Sequence, residues 1–335
     1  MPKIVCFGEL LLRLTAPGRE LLLQSGRFDV YVGGAEANVA VGLARLGHET
    51  AMVSRVTDNA LGDAAAGHLR RYGVDAAGVS TGPGRMGLYF LSPGAGVRPS
   101  DIVYDRDGSS FASCGPGDFD WDALLDGADL LHLSGVTPAL GRPSAEAALA
   151  AARAARARGV AISFDGNFRA QLWQRWDGDP RGILTGLVEE AEILFGNHRD
   201  ISLLLGQTFS GDGEGRRREA ADAAFAAFPR LKLIASTARH VVDADTHRIS
   251  ARIDAREGSA QTDEMVVAGI VDRIGAGDAF AAGVLHGLRT GMDLDGTAQA
   301  GLALACLKHS LPGDASLFGP RDIHAFLAGE RDVRR

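Results

Sequence analysis

Short, continuously apolar runs alternate with helical patterns along most of this chain, and that alternation restricts it to few folds. Ile4–Phe7, Thr50–Val56, Leu130–Leu133, Val160–Phe164, Ile193–Phe195 and Leu233–Ala235 are too short for helices and carry no polar face. They read as strands buried on both sides. Between and after them, helical spacing marks Ala35–Leu46, Ala60–Tyr72, Ser144–Arg158, Arg181–Glu190, Arg217–Phe228, Ala279–Arg289 and Gly296–His309. Gly47, Gly73 and Gly159 stand where three of these helices need a left-handed residue to stop. Parallel neighbours need crossover helices, so the predicted fold is α/β, a mainly parallel sheet covered by helices on both faces.

Two stretches break the rhythm. Arg19–Val32 and Gly84–Ser110 lack helical period and read as strands joined by turns at Pro93-Gly94, Arg98-Pro99 and Asp107-Gly108. They predict a small antiparallel sheet, from about residues 11–33 and 84–112, that projects from the body as a lid. Tyr89 and Tyr104 are expected to alternate onto its faces. A polar stretch, Val241–Ala260, reads as a further hairpin. The remainder forms one domain over residues 1–330, with 331–335 as a frayed tail. The open edge of the lid invites a second subunit, so a homo-oligomer is expected.

Composition excludes several classes. Hydrophobic residues make up 46% and charged residues 23% of the 335, which suits a packed core and argues against disorder. A formal net charge of −7 argues against a nucleic-acid partner. Cys6, Cys114 and Cys306 are isolated from one another, which suits reduced cysteines and no structural zinc site. No run approaches membrane-spanning length and no leader pattern precedes Ile4, so a cytoplasmic protein without a membrane partner is expected.

The chemistry concentrates in Val271–Phe280, V-D-R-I-G-A-G-D-A-F. An apolar strand, Met265 to Val271, leads into Gly275-Ala276-Gly277, and a helix pattern begins at Asp278. Such a turn gathers the backbone N–H groups of Gly275, Ala276 and Gly277 at the positive end of a helix dipole, a volume suited to a phosphoryl group. Asp278 beside it is placed to accept a proton from an attacking hydroxyl. Close packing and a first-turn acid explain the same residues without catalysis. Gly33-Gly34-Ala35-Glu36-Ala37-Asn38 is a second glycine turn opening a helix, where Gly34 permits close approach of a ligand and Asn38 offers a donor and an acceptor. Asp165-Gly166-Asn167-Phe168-Arg169 follows a buried strand at the sheet edge where α/β folds place ligands. Arg169 there suits a carboxylate or phosphate, or simply packs along Trp173. Tyr104-Asp105-Arg106 adds a second cation in the lid. Asn197 and Asp200, three residues apart after the next strand, suit either a magnesium shell through water or a helix cap. The P-loop, dinucleotide-fold, serine-elbow and H-E-x-x-H signatures are absent.

These motifs together resemble the ribokinase (PfkB) carbohydrate kinases over nearly the whole chain. Gly33-Gly34 with Asn38 resembles that family's first signature, and Asp272 to Asp278 its second, D-T-x-G-A-G-D. Within the family, D-R-I-G at 272–275, Asp165-Gly166-Asn167-Phe168-Arg169 with Leu172-Trp173, Tyr104-x-Arg106 and Leu307-Lys308-His309-Ser310-Leu311-Pro312-Gly313-Asp314 resemble the branch acting on 2-keto-3-deoxygluconate. The resemblance implies a ribokinase-like fold and ATP-dependent phosphorylation of the C6 hydroxyl of that sugar acid, with Mg²⁺. It implies that Gly34, Asn38, Tyr89, Tyr104, Arg106, Arg169 and Asp314 contact the sugar acid and that Asp278 is the base. It implies nucleotide contacts at Asn197, Ser236, Thr237 and Arg239, and a magnesium role for Asp200. Two positions depart from the pattern. Ala235-Ser236-Thr237-Ala238-Arg239-His240 lacks the glycines of the family's T-x-G-x-x-G, and Asp200 stands where the family has glutamate. A kinase of a neutral ketose such as fructose, and a sugar sensor on a degenerate kinase fold, remain the rival expectations.

Overall fold

The structure, a computed structural model, describes residues 3–330 and residue 332. The expected frayed tail therefore lies outside the described residues, apart from Asp332. Fourteen strands are described: β1 Lys3–Phe7, β2 Leu11–Thr15, β3 Asp29–Gly33, β4 Thr50–Thr57, β5 Val79–Gly82, β6 Gly87–Ser92, β7 Asp101–Asp105, β8 Ala128–Ser134, β9 Ala161–Asp165, β10 Ile193–Phe195, β11 Leu233–Asp243, β12 Thr246–Ala255, β13 Gly258–Gln261 and β14 Met265–Ala268.

The main sheet runs β13-β12-β11-β10-β9-β8-β1-β4-β5, with β14 added on β12. Every pairing from β11 to β5 is parallel, and β12, β13 and β14 join antiparallel. All six apolar runs named from the sequence are strands of this sheet. Period two sorts their side chains between two cores. Ile4 and Cys6 face one layer, built with the Ala35–Arg45, Ala276–Arg289 and Leu294–Lys308 helices. Val5 and Phe7 face the other, built with the Arg142–Ala157, Pro180–Val188 and Gly213–Ala227 helices. The chain builds outward from β1 to β4 and β5 on one side and from β8 to β11 on the other. The strand order thus switches between β1 and β8, and a crevice opens at the carboxyl ends there.

Within the main sheet the structure shifts the expected bounds. The run at 233–235 continues as β11 to Asp243, because β12 pairs with it residue for residue beyond the body of the sheet. The predicted polar hairpin exists, with its turn at Ala244-Asp245. The strand before the glycine turn ends at Ala268, and the following helix starts at Ala276, two residues before Asp278.

The small sheet runs β3-β2-β6-β7. Its β2–β3 and β6–β7 pairings are antiparallel, and the central β2–β6 pairing is parallel. Tyr89 lies directly opposite Tyr104, and Arg13 opposite both Tyr31 and Tyr89. Directly paired residues share a face. Tyr31, Arg13, Tyr89 and Tyr104 therefore form one row toward the body, and the two tyrosines do not alternate across the sheet. Leu11, Tyr89 and Leu91 form a small buried cluster on that face, against which Ile102, Tyr104 and Ile274 pack.

Candidate active site

Gly275 sets the geometry of the central turn. Its φ of 77° is left-handed, and a Cβ there would collide with the backbone carbonyl of Asp314. Only glycine meets both conditions. Asp272 holds the turn from its start: its Oδ1 accepts the Ile274 amide at 3.0 Å and its Oδ2 the Gly313 amide at 3.0 Å. The helix that follows begins at Ala276, so the amides of Ala276, Gly277 and Asp278 have no acceptor one turn earlier inside it. The Ala276 amide reaches back to the Arg273 carbonyl at 3.4 Å. Gly275 is the N-cap, which moves the expected anion-binding amides one residue on, toward 276–278.

Asp278 stands at the mouth of this helix. Asn38 Nδ2 donates to its Oδ2 at 2.7 Å. Asn38 is brought there by the Ala35–Arg45 helix, whose N-cap is Gly34 with φ 144°. A Cβ on Gly34 would collide with the Glu9 carbonyl, so this glycine is also required. Burial pushes the Asp278 carboxyl up to about 7; Asn38 opposes the shift and the charge of Asp314 adds to it. A carboxylate with that value is poised to exchange a proton near neutral pH.

Two more carboxylates lie within electrostatic reach. Asp165, at the end of β9, is pushed up to about 8, mainly by burial and then by the charges of Asp278 and Asp200. Asp200 is also raised, chiefly by burial. Arg169 opposes the shift at all three. It is exposed, and it follows Asn167, whose φ of 35° turns the chain sharply after the strand. Trp173 stacks on Trp176. The Arg169 Nη1 donates to the Phe168 carbonyl at 3.3 Å, and the cation is within electrostatic reach of the three acids.

The lid residues are tied to the body. Tyr89 Oη donates to Asp314 Oδ2 at 2.5 Å, and the Tyr104 ring lies 6.3 Å from that of Tyr89. Arg106 is 6% exposed, and its Nε donates to Glu9 Oε2 at 2.5 Å. Ser109 donates to the other Glu9 oxygen. Arg106 therefore has a buried counter-charge within the protein.

On the opposite side of the turn, Asn197 and Asp200 cap the His198–Leu205 helix reciprocally. Asn197 Oδ1 accepts the Arg199 amide and Asp200 Oδ2 accepts the Asn197 amide, both at 2.8 Å. The Oδ1 of Asp200 lies over Gly166, beside Asp165. Thr237 and Arg239 pair with Ala251 and Ile249, both buried in the core that carries the Ala276–Arg289 helix. Ser236 pairs with Arg252 and belongs to the other face. Arg273 and Arg169 both depress the Arg239 guanidinium, after burial as the larger cause. Among the described residues, none of these three arginines has a carboxylate at ion-pair distance. Among the described residues no three His, Cys, Asp or Glu side chains gather closely enough to hold a metal by themselves.

Sequence reasoning passed over Arg13, and it quoted Asp272 and Lys308 only as parts of motifs, with no role of their own. Arg13 is fully buried and Lys308 has no exposure. A cation inside the apolar strand L-L-R-L-T was the available signal.

The arrangement combines a buried carboxyl raised to about 7, helix amides at the same turn and guanidinium groups that have no carboxylate partner among the described residues. That set suits in-line transfer of a phosphoryl group to a hydroxyl. Comparison with known proteins agrees. Residues 1–317 match the description "pfkB family carbohydrate kinase". The crystal structure of a 2-dehydro-3-deoxygluconokinase from Thermotoga maritima superposes with a TM-score of 0.93 at 36% identity, covering 98% of this chain and 100% of that one. A 2-dehydro-3-deoxygalactonokinase from Haloferax volcanii is 29% identical over 331 residues, 98% of this chain and 97% of the relative. A ribokinase II structure from E. coli, in complex with ATP and Mg²⁺, shares the fold at a TM-score of 0.82 and 20% identity, covering 98% and 100%.

Proposed function

The chain belongs to the pfkB family of carbohydrate kinases, and on that premise we propose that it phosphorylates the C6 hydroxyl of 2-keto-3-deoxygluconate (2-dehydro-3-deoxygluconate) with ATP. The observation that carries the chemistry is Asp278, raised to about 7 at the helix mouth and oriented by Asn38. Asp278 takes the proton of the hydroxyl as that oxygen attacks phosphorus. The amides of Ala276, Gly277 and Asp278 stabilise the charge on the transferring group, which needs preorganised donors rather than covalent help. Arg239 and Arg273 hold the polyphosphate where the glycine loop is missing, since clustered cations without a counter-ion favour an anion. The donor set also fits a magnesium ion bound mainly through phosphate, with Asp200 and Asp165 reached through water. When bound, that ion neutralises phosphate charge.

Arg169 supports an acid as substrate. It is exposed to the cleft and lacks a carboxylate partner in it at ion-pair distance, and a sugar carboxylate would supply one. Tyr89, Tyr104 and Asp314 line the lid side, with Gly34 and Asn38 opposite. A neutral ketose is the competing reading, and Arg106 favours it, because Glu9 already neutralises that cation. The apolar row Val30, Leu14, Phe90 and Val103 on the outer lid face supports the expected homo-oligomer. A sedimentation run that finds monomer at micromolar concentration would remove that expectation. The substrate reading is tested by incubating the protein with ATP, Mg²⁺ and 2-keto-3-deoxygluconate and locating the phosphate by ³¹P–¹H correlation. Coupling to C6 is expected; no product, or phosphate on another carbon, sinks the proposal.

A further inference from the structure

Arg13 takes no part in the chemistry above, yet its side chain is fully buried in the lid strand β2. A guanidinium removed from water is costly unless it is paired, so its partners are informative. Its Nη2 donates to Asp272 Oδ2 at 2.6 Å, its Nε lies 3.1 Å from Asp314 Oδ1, and its Cζ lies over the Tyr31 ring, 4.6 Å from the centroid. The two carboxylates flank the catalytic turn. Asp272 begins it and accepts the Ile274 amide. Asp314 presses its backbone carbonyl against Gly275, at the end of the turn. Lys308 supplies a second buried cation, donating to Leu311 O at 3.0 Å and Asp272 O at 3.4 Å. Two cations thus balance two carboxylates. Ile274, inside the turn, packs in the lid's own cluster with Leu11, Tyr89 and Leu91. Polar and apolar contacts therefore connect the same two parts.

We propose that Arg13 is a positioning residue which locks the Asp272–Asp278 turn, with its base and anion-binding amides, to the lid sheet. Arg13 meets neither the hydroxyl nor the phosphoryl group in this arrangement. It acts on where those groups are met. The activity part of this inference rests on the kinase reading above; the structural part does not.

The test uses Arg13→Met, Arg13→Lys, Asp272→Asn and the double variant Arg13→Met/Asp272→Asn. Misplacing reacting groups by about 1 Å costs on the order of 10²-fold in rate. Arg13→Met should lower kcat by about 10–100-fold while KM for ATP stays within about threefold, since positioning errors fall on the transition state. Arg13→Lys should recover part of the loss, because one ammonium meets one carboxylate without the fork. The double variant should be no more than about threefold worse than Arg13→Met, because the two residues act as one unit. Without any ligand, amides 273–278 should exchange at least about tenfold faster in Arg13→Met than in the parent. If Arg13→Met does not fold, Arg13→Lys carries both readouts, with smaller changes of the same sign.

A lowered Tm with unchanged kcat and unchanged exchange at 273–278 would make Arg13 merely structural. Multiplying losses in the double variant would also overturn the proposal. If the parent protein phosphorylates no sugar, the kinase reading fails, and the exchange measurement still decides the role of Arg13.

Discussion

Replacing Asp278 by Asn separates catalysis from stability, and the structure predicts opposite signs for the two. The amide keeps the shape of the carboxyl and an oxygen for Asn38 Nδ2, now 2.7 Å away, but cannot take a proton. General-base catalysis contributes about 10²–10⁴-fold, so kcat should fall by that factor while ATP affinity changes little. Stability should rise. The carboxyl is raised from 3.8 to about 7 by burial before anything else. Ionising it therefore works against the fold, and stability present below about pH 4 is lost as the pH rises through about 7. At 1.36 kcal/mol per unit the ceiling is about 4 kcal/mol; partial access to solvent reduces that to about 1–3 kcal/mol. For a chain of this length the gain corresponds to roughly 1–4 °C in Tm. Steady-state kinetics at pH 8 and calorimetry at pH 8 and pH 3 test both halves, and the Tm difference should vanish at the lower pH. Retention of more than about a tenth of kcat would remove Asp278 as base. A lower Tm at pH 8 would show that the carboxylate is stabilised rather than strained.

Three further outcomes are expected. The pH profile of kcat/KM should fall about tenfold per unit below about pH 7, because the protonated carboxyl cannot act; its midpoint belongs jointly to Asp278 and Asp165, and an acid limb near pH 4 would contradict the burial argument. Arg169→Leu should raise KM for the sugar acid about tenfold or more, since a charge-assisted bond to a carboxylate is worth about 1.5–3 kcal/mol, with little change for a neutral ketose; equal losses on both would make Arg169 structural. Hydrogen exchange in residues 84–110 should slow on adding 2-keto-3-deoxygluconate and much less with an ATP analogue alone, because the contacts proposed for Tyr89 and Tyr104 are with the sugar acid; equal protection by the nucleotide would remove the lid from sugar binding.

The parts legible in the sequence are those where one local rule decides. Ile4–Phe7 and Ile193–Phe195 are apolar on both faces because both faces are covered, and short apolar runs announce that. Gly275 and Gly34 are legible because no other residue takes those φ values at those contacts. What stayed hidden depends on partners far along the chain. The second half of β11 is polar and exposed, and it is a strand only because β12 lies beside it. Arg106 carries the pattern of a ligand-binding arginine, yet Glu9, 97 residues away, already meets it. Asn197 and Asp200 fit a metal shell and a helix cap equally well on paper; the structure shows the cap, made with Asp200 Oδ2, while Oδ1 lies over Gly166. Arg13 drew no role from the sequence, because its partner Asp272 lies 259 residues later.

Substrate charge is the central claim, and one comparison tests it most directly: kcat/KM for 2-keto-3-deoxygluconate against fructose, at fixed ATP and Mg²⁺ and pH 8. A site with an exposed arginine available for a carboxylate should favour the acid by about tenfold or more, because a charge-assisted bond is worth about 1.5–3 kcal/mol and the neutral sugar makes none. A ratio near one, or a preference for fructose, would contradict the assignment of Arg169 and leave a neutral-ketose kinase as the reading.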